Sequence, residues 1–265
     1  MSDQHHPPGV DTTAANPARM YDHALGGVHN FAADREHFAR ILREDPDARL
    51  VVAANRALLR RAVRYCMRQG IDQFLDLGSG IPTVGNVHEA AHQLDPRSRV
   101  VYVDNEPVTV AHTRRLLRET DNAAMVDADL RAPESVLRAA ETRRLLDPDR
   151  PLALLMVAVL HWVTDAEMPG LLHRYTDVLA PGSHLVISHL TDDYRPGLMR
   201  RVGRLFEETR APLVYRSRTE VADLFDGFDL VPPGVVHSAD WQAQPYERLP
   251  APERSKTWAA VGRKR

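Results

Sequence analysis

The sequence predicts a doubly wound α/β fold, a mostly parallel sheet with helices on both faces, preceded by an N-terminal helical extension. Three observations carry this. From Gln73 onward, short apolar runs alternate with stretches of helical period, the pattern of strand–helix–strand units. The runs lack polar alternation, as expected of strands buried on both faces. The first run ends in a turn carrying two glycines, Asp76-Leu77-Gly78-Ser79-Gly80, in front of a further helical stretch.

In chain order, residues 1–16 have few large apolar side chains to offset the entropy of ordering and are expected to form a mobile tail. Met20, Ala24 and Leu25 share a helical spacing that Gly26-Gly27 breaks. A second helix is predicted from Ala32 to Arg43, ending before Asp45-Pro46 because the residue ahead of a proline avoids helical backbone. In a third, Leu50, Val51, Ala54, Leu58, Ala62 and Tyr65 share one face. Residues 17–70 thus form the helical segment and 71–265 the core. Predicted strands are Phe74–Leu77, Val100–Val103, Ala124–Val126, Leu152–Leu160 and His184–Ser188, with a clear helix over Met168–Leu179. Phe228–Val231 and Thr257–Val261 read as a closing pair of edge strands.

Composition narrows the function classes. A net charge of −2 supplies no field to gather nucleic acid over the whole surface. No run of about 18 apolar residues suggests a membrane span. Residues 1–16 lack the apolar stretch of a secretory signal, and the single cysteine, Cys66, excludes an internal disulfide. A cytoplasmic protein without membrane or nucleic-acid partners is expected.

The glycine turn lets a ligand approach the main chain, and both a nicotinamide dinucleotide and S-adenosylmethionine use such loops. Two details favour the second. The third position of the dinucleotide fingerprint is Thr83 rather than Gly or Ala, and Asp76 would repel a pyrophosphate while meeting an ammonium. Asp104, in Val103-Asp104-Asn105-Glu106 at the end of the second strand, is placed to accept ribose hydroxyls. Glu106 precedes Pro107 and suits a helix N-terminus. Asp129 could accept the adenine amino hydrogens, with Leu130 packed on the ring. All three acids follow consecutive strands, where open α/β sheets bind ligands.

These residues resemble the class I methyltransferase fold, whose signature is an acid followed by Gly-x-Gly. More narrowly, Ala18-Arg19-Met20-Tyr21-Asp22-His23-Ala24-Leu25-Gly26-Gly27, Asn30-Phe31-Ala32-Ala33-Asp34-Arg35, Tyr102-Val103-Asp104-Asn105-Glu106-Pro107 and Val159-Leu160-His161 resemble a bacterial S-adenosyl methyltransferase family long classed as a domain of unknown function. The resemblance runs from about Pro17 to the C-terminus. It implies a seven-stranded Rossmann-like sheet, S-adenosyl-L-methionine as cofactor and an N-terminal segment lying over it. The cofactor contacts it implies are Arg19, Tyr21, Asp76, Gly78, Ser79, Gly80, Asp104, Asn105, Asp129 and Leu130. It supplies no acceptor.

Other motifs carry less. His88-Glu89-Ala90-Ala91-His92 spells a zinc-protease pattern, but on a helix whose sheet-facing stripe is Val84, Val87, Ala91 and Leu94, leaving both histidines toward solvent, and no metal is expected. Cys66 reads as a small buried hydrophobe. The clusters Arg60-Arg61-Arg64, Arg200-Arg201-Arg204 and Arg263-Lys264-Arg265 read as solvated faces without aromatic interleaving.

Methyl transfer from a sulfonium chiefly requires alignment and exclusion of water. An oxygen or nitrogen acceptor can also require a base, for which His161 and then His189, after the fourth and fifth strands, are the candidates. Tyr194 and Tyr215 are candidates to line the pocket of a small-molecule acceptor. The alternatives are a protein that binds S-adenosylmethionine or its demethylated product without catalysis, and a nicotinamide-dependent oxidoreductase.

Overall fold

Alternate residues of the central strands feed two cores, one on each side of the sheet, because successive side chains of a strand point to opposite faces. A computed structural model of the chain describes residues 7, 10–83, 85–209 and 211–265. Strands β1 (Gln73–Leu77), β2 (Arg99–Asp104), β3 (Ala123–Asp127), β4 (Ala153–Val157) and β5 (His184–Leu190) are parallel; β6 (Phe228–Leu230), β7 (Val236–His237) and β8 (Thr257–Lys264) follow. The sheet order is β3-β2-β1-β4-β5-β8-β6, with the two-residue β7 paired to β8. The seven-stranded path is the one expected. The predicted closing pair is corrected in one respect. β8 is not an edge strand but lies between β5 and β6, antiparallel to both.

Helices α1 (Pro17–Ala24), α2 (Ala32–Glu44) and α3 (Ala48–Arg68) precede the sheet. On one face, Phe74, Val100, Leu155 and Val186 pack against Leu58, Ala62 and Cys66 of α3, with α4 (Val87–His92) and α5 (Pro107–Leu116) beside it. On the other, Leu75, Val101, Leu154 and Ile187 pack against α6 (Pro133–Leu137), α7 (Ala140–Leu145) and α8 (Met168–Thr176). A third cluster joins Met20, Phe38, Ile41 and Val52 to Val202 of α9 (Pro196–Glu207), while α10 (Arg218–Asp223) adds Val221 to the second face. Cys66 is fully buried, and burial pushes its thiol up to about 12.

β4 stops at Val157, short of the predicted Leu160. Ala158 turns into left-handed backbone, φ 57°, and Leu160–Trp162 form a 3-10 turn. Leu94 is exposed rather than sheet-facing, and Val84 lies outside the described residues. Arg61, expected on a solvated face, is buried and donates to the carbonyls of Trp241 and Ser238. No helix among the described residues is long and apolar enough to cross a membrane.

The N-terminal segment is tied down by charge. Of the expected tail, residues 1–6, 8 and 9 lie outside the described residues. Asn16 caps α1 by accepting from Ala18 N, while its own N–H donates to Asp34. The buried Asp34 also accepts from Phe31 N and from Arg19 Nε at 3.0 Å. Arg19 reaches Glu106 with Nη1 (3.3 Å) and the carbonyls of Asp11 and Ala14 with Nη2. The expected tail is therefore corrected over residues 11–16, whose carbonyls and cap are part of this cluster. Arg19→Ala would leave two buried carboxylates without their cation, so we expect a loss of about 3–5 kcal/mol of stability, read by urea denaturation.

Candidate functional site

The chain leaves β1 toward β2 and β3 on one side and returns through β4 on the other, so the carboxyl ends of β1 and β4 flank a switch point where open α/β sheets bind ligands. A cavity of about 580 Å³ lies there, roofed by α1, α3 and α9. That volume falls in the range of small-molecule sites.

Its floor is the glycine turn. Gly78 N and Ser79 N donate to Val103 O at 2.9 and 3.1 Å, which fastens the turn to the end of β2. Gly78 and Gly80 have φ of 68° and 66°, backbone that favours glycine, and a Cβ at Gly78 would overlap the Val159 side chain. Asp104 closes the same junction, with Oδ2 accepting from Gly80 N at 2.8 Å and Oδ1 from Glu106 N at 2.9 Å. Burial moves its carboxyl above the usual range, against the pull of these N–H groups. Glu106 caps α5 through Thr109 N and pairs with Arg19.

Asp76 shares a face of β1 with Phe74, the face covered by α3. It is buried, and burial pushes its carboxyl up to about 7, with Arg56 acting in the opposite direction and Asp104 adding to the rise. Arg56 was not singled out from the sequence. It lines the cavity from α3, is 7% exposed, and makes no ion pair or hydrogen bond through its guanidinium among the described residues. Its guanidinium carbon lies 5.7 Å from the centroid of the Tyr21 ring. Ser79 Oγ and Asn55 Oδ1, also on the cavity, are buried without partners. Tyr21 lines the cavity and donates to Val52 O.

At the end of β3, Asp129 accepts three bonds from the Arg131 side chain, two of them shared by Nε, and one from its N–H. The Arg131 hydrogen bonds hold its carboxyl below the usual range. Asp129, Leu130 and Asn105 all line the cavity. Of the ten expected cofactor residues, nine therefore meet at one cavity. Arg19 is the correction. It lies outside the lining, with its donors turned to Asp34, Glu106 and two carbonyls.

The two histidines divide. His161 lines the cavity, with Nδ1 buried and unpartnered; burial, then His189 and Arg216, hold its imidazole well below the usual value. His189 is fully buried and off the cavity, a correction of the expectation that it faces the cleft. Its Nδ1 donates to Leu190 O (2.8 Å) and its Nε2 accepts from Arg216 (2.6 Å), a neutral tautomer with both nitrogens used. Burial, first among the causes, takes it down to about 4. Tyr194 and Tyr215 do not line the cavity either; Tyr215 donates to Met199 O.

The sequence also gave no warning of Asp45 and Lys256, both buried on the cavity wall and joined at 3.0 Å. The His88–His92 motif is consumed locally. His88 bonds Tyr102 Oη through Nδ1, His92 bonds Ser98 O, and Glu89 accepts from the N–H groups of Gly85 and Asn86 at the start of its own helix. Both rings are half-buried rather than solvated.

Comparison with known proteins bears on the family of the chain. No curated protein matches the chain. A crystal structure of a Thermobifida fusca YX protein classed as a methyltransferase by inference is 38% identical, with 100% of each chain covered and a TM-score of 0.93. A duf574 family protein from Streptomyces avermitilis MA-4680 is 37% identical over 96% of this chain and 99% of its own, with a TM-score of 0.92. A Burkholderia thailandensis 1,6-didemethyltoxoflavin-N1-methyltransferase, solved with 1,6-didemethyltoxoflavin and S-adenosylhomocysteine, shares the fold at 18% identity over 96% and 93% of the two chains, TM-score 0.51. Residues 3–265 match the S-adenosyl methyltransferase family, and the chain belongs to it.

Proposed function

We propose that this S-adenosylmethionine-dependent methyltransferase moves a methyl group to an oxygen or nitrogen of a small molecule, with the cofactor held across the carboxyl ends of β1, β2 and β3. The observation that carries the placement is Arg56, a buried side chain whose guanidinium makes no ion pair or hydrogen bond among the described residues, on a wall shared with a buried Asp76 whose carboxyl burial raises. Leaving a charge buried and unpaired costs several kcal/mol. An amino-acid group resolves both, its carboxylate meeting Arg56 and its ammonium meeting Asp76. Ser79 Oγ, also without a partner, is available to the same group. Asp104 retains lone pairs for ribose hydroxyls after accepting from Gly80 and Glu106. Asp129, Leu130 and Asn105 take the adenine end, and Gly78 and Gly80 allow close approach of the backbone. Tyr21 closes the site from α1, so that residues 17–70 act as its cover over the 71–265 core.

S-adenosylmethionine supplies an electrophilic methyl carbon on a sulfonium, whose thioether is already a good leaving group. The chain's task is alignment and exclusion of water. His161 stands at the end of β4 in its neutral form. Beside Arg216 and His189 it is a weak proton acceptor, so we assign it to holding the acceptor's O–H or N–H by hydrogen bond, with the proton finally released to solvent. The Burkholderia enzyme's small heteroaromatic substrate lends support to a small acceptor.

Calorimetry tests the cofactor assignment. S-adenosylmethionine and S-adenosylhomocysteine should bind and NAD should not, and Asp104→Ala should weaken both by about 10- to 100-fold. Arg56→Met should weaken both by a similar factor, about 30-fold or more, while leaving adenosine, which has no carboxylate, unaffected. Equal losses for adenosine would displace Arg56 from this role. Methyl transfer to any acceptor in a screen separates an enzyme from a binding protein, and full turnover in His161→Ala would remove His161 from the mechanism.

The pH dependence follows from Asp76. Its ionised form binds the ammonium, and its carboxyl sits near 7. Below that pH, binding must expel a proton, so the dissociation constant of S-adenosylhomocysteine should fall about tenfold per pH unit as pH rises toward 7 and then level. Asp76→Asn should abolish the slope. Without ligand the sign reverses. Between its ordinary value of 3.8 and about 7, the folded chain keeps a proton that the unfolded chain has lost, so stability declines with rising pH across that window.

A further inference from the structure

We propose that the far end of the cavity is the acceptor subsite, and that Asp45, held by Lys256, recognises a hydroxyl or N–H donor on a flat apolar small molecule while turning carboxylates away. This rests on the reading that the near end, at β1 and β2, takes the cofactor.

The position comes from the fold. Asp45 immediately precedes the segment leading into α3, and Arg56 lies eleven residues further along the same wall. At about 1.5 Å per residue, α3 alone rises roughly 12 Å from its start at Ala48 to Arg56, which separates the two polar poles along the wall. Thr191 N, just past β5, donates to Lys256 O at 3.0 Å, which places Lys256 at the carboxyl end of β5. With β4 between β5 and β1, that is two strand spacings, about 10 Å, from the glycine turn. An acceptor there lies beside the cofactor rather than on top of it.

The chemistry comes from the hydrogen-bond inventory. An ammonium has three protons, and Lys256 Nζ spends them on Asp45 Oδ1 (3.0 Å), Arg254 O (3.3 Å) and Asp47 Oδ2 (3.4 Å). Asp47 is further paired with Arg254, so two carboxylates and two cations cancel. Among the described residues of this cluster, no cation is left unpaired to attract an anion. Asp45 Oδ1 accepts from Lys256 and Asp47 N, whereas Oδ2 has no partner among the described residues, on a side chain that is only 4% exposed. The pole therefore offers a hydrogen-bond acceptor. Around it the lining is Phe38, Ile41, Trp162, Met199, Val202 and Phe206, apolar walls that suit a planar ring. Burying an N–H or O–H among them without a partner would be costly, and Asp45 Oδ2 supplies one. Lys256 is the positioning residue. It fixes the Asp45 rotamer through the 3.0 Å contact, from a left-handed backbone position, φ 50°.

The experiment titrates the full chain with 1-naphthol and with 1-naphthoate, with and without saturating S-adenosylhomocysteine. 1-Naphthol should bind at least about tenfold more tightly than 1-naphthoate, the margin of one hydrogen bond to a charged group. Asp45→Asn removes the negative charge and leaves Lys256 in excess. The preference should then shrink or invert toward 1-naphthoate, while S-adenosylhomocysteine affinity, read on the same samples, stays unchanged and reports folding. Equal or tighter binding of 1-naphthoate by the unaltered chain overturns the proposal whether or not the variant folds. So does an Asp45→Asn variant that binds S-adenosylhomocysteine normally and keeps the original preference. If S-adenosylhomocysteine fails to bind the unaltered chain, the cofactor reading falls, and the naphthol preference measured without it still decides the assignment of Asp45.

Discussion

The bond between Arg19 and two buried carboxylates decides where the cavity has a roof. One carboxylate, Asp34, belongs to α2 and the other, Glu106, begins α5 at the end of β2. The guanidinium therefore ties the N-terminal helices to the edge of the sheet at which ligands bind. Met20 and Tyr21, next along α1, face the cavity from the position this tie imposes. Asp22 adds a second fastening: it is buried, accepts from His29 N and Asn30 Nδ2, and accepts from Thr83 Oγ1 beyond the glycine turn. One turn of helix thus presents a clamp and a lining on different sides. The clamp is self-sufficient, since its charges meet each other.

The cavity wall is built on the opposite rule. Arg56, Asp76, Ser79 Oγ and Asn55 Oδ1 are buried, and none of them finds a hydrogen-bond partner among the described residues. A protein that only needed to be stable would be better served by apolar residues at these positions. Their cost makes sense as preorganisation, in which polar groups stand ready before the ligand arrives and need not reorganise afterwards. The pull of burial on Asp76 is the clearest sign, because a carboxyl that titrates near 7 has not found its partner within the chain. Asp104 differs. It is half-used by the loop it braces, so it serves the fold and the site together.

The sheet was legible because its strands are buried on both faces and read as uninterrupted apolar runs, and the acids that meet at the cavity because they follow those runs. What sequence could not show arose from long-range contacts. Arg56 and Arg61 are alike in the text, yet one lines a cavity and the other is locked to Trp241 and Ser238, a difference set by a loop some 180 residues away in sequence. Asp45 looked like a helix stop before proline and Lys256 carried no signal at all; only the return of β8 beside β5 brings them together. Arg19 fitted its motif but was given the wrong partner, because a motif identifies that a residue matters and not what it touches. His189 failed for a simpler reason: position at a strand end does not fix which side of the sheet a ring enters.

The surroundings of Arg216 explain why His161 is a weak base. Arg216 donates to His189 and carries a fixed positive charge between His189, Leu160 O, Val163 O and Asp165. His161, 5.8 Å from His189 by ring centroids, would have to accept a proton beside that charge and in a buried setting. Both effects oppose the imidazolium, and efficient base catalysis wants a pKa near the working pH. An acyl or phosphoryl transfer would suffer from this arrangement. Displacement at a sulfonium does not, since the leaving thioether needs no protonation and an amine or weakly acidic hydroxyl can shed its proton after the bond has formed. On the proposed reading the cavity spends its buried polar groups on holding and orienting, with neutral His161 and a paired Asp45 as hydrogen-bond acceptors, and leaves the driving force to the activated methyl group.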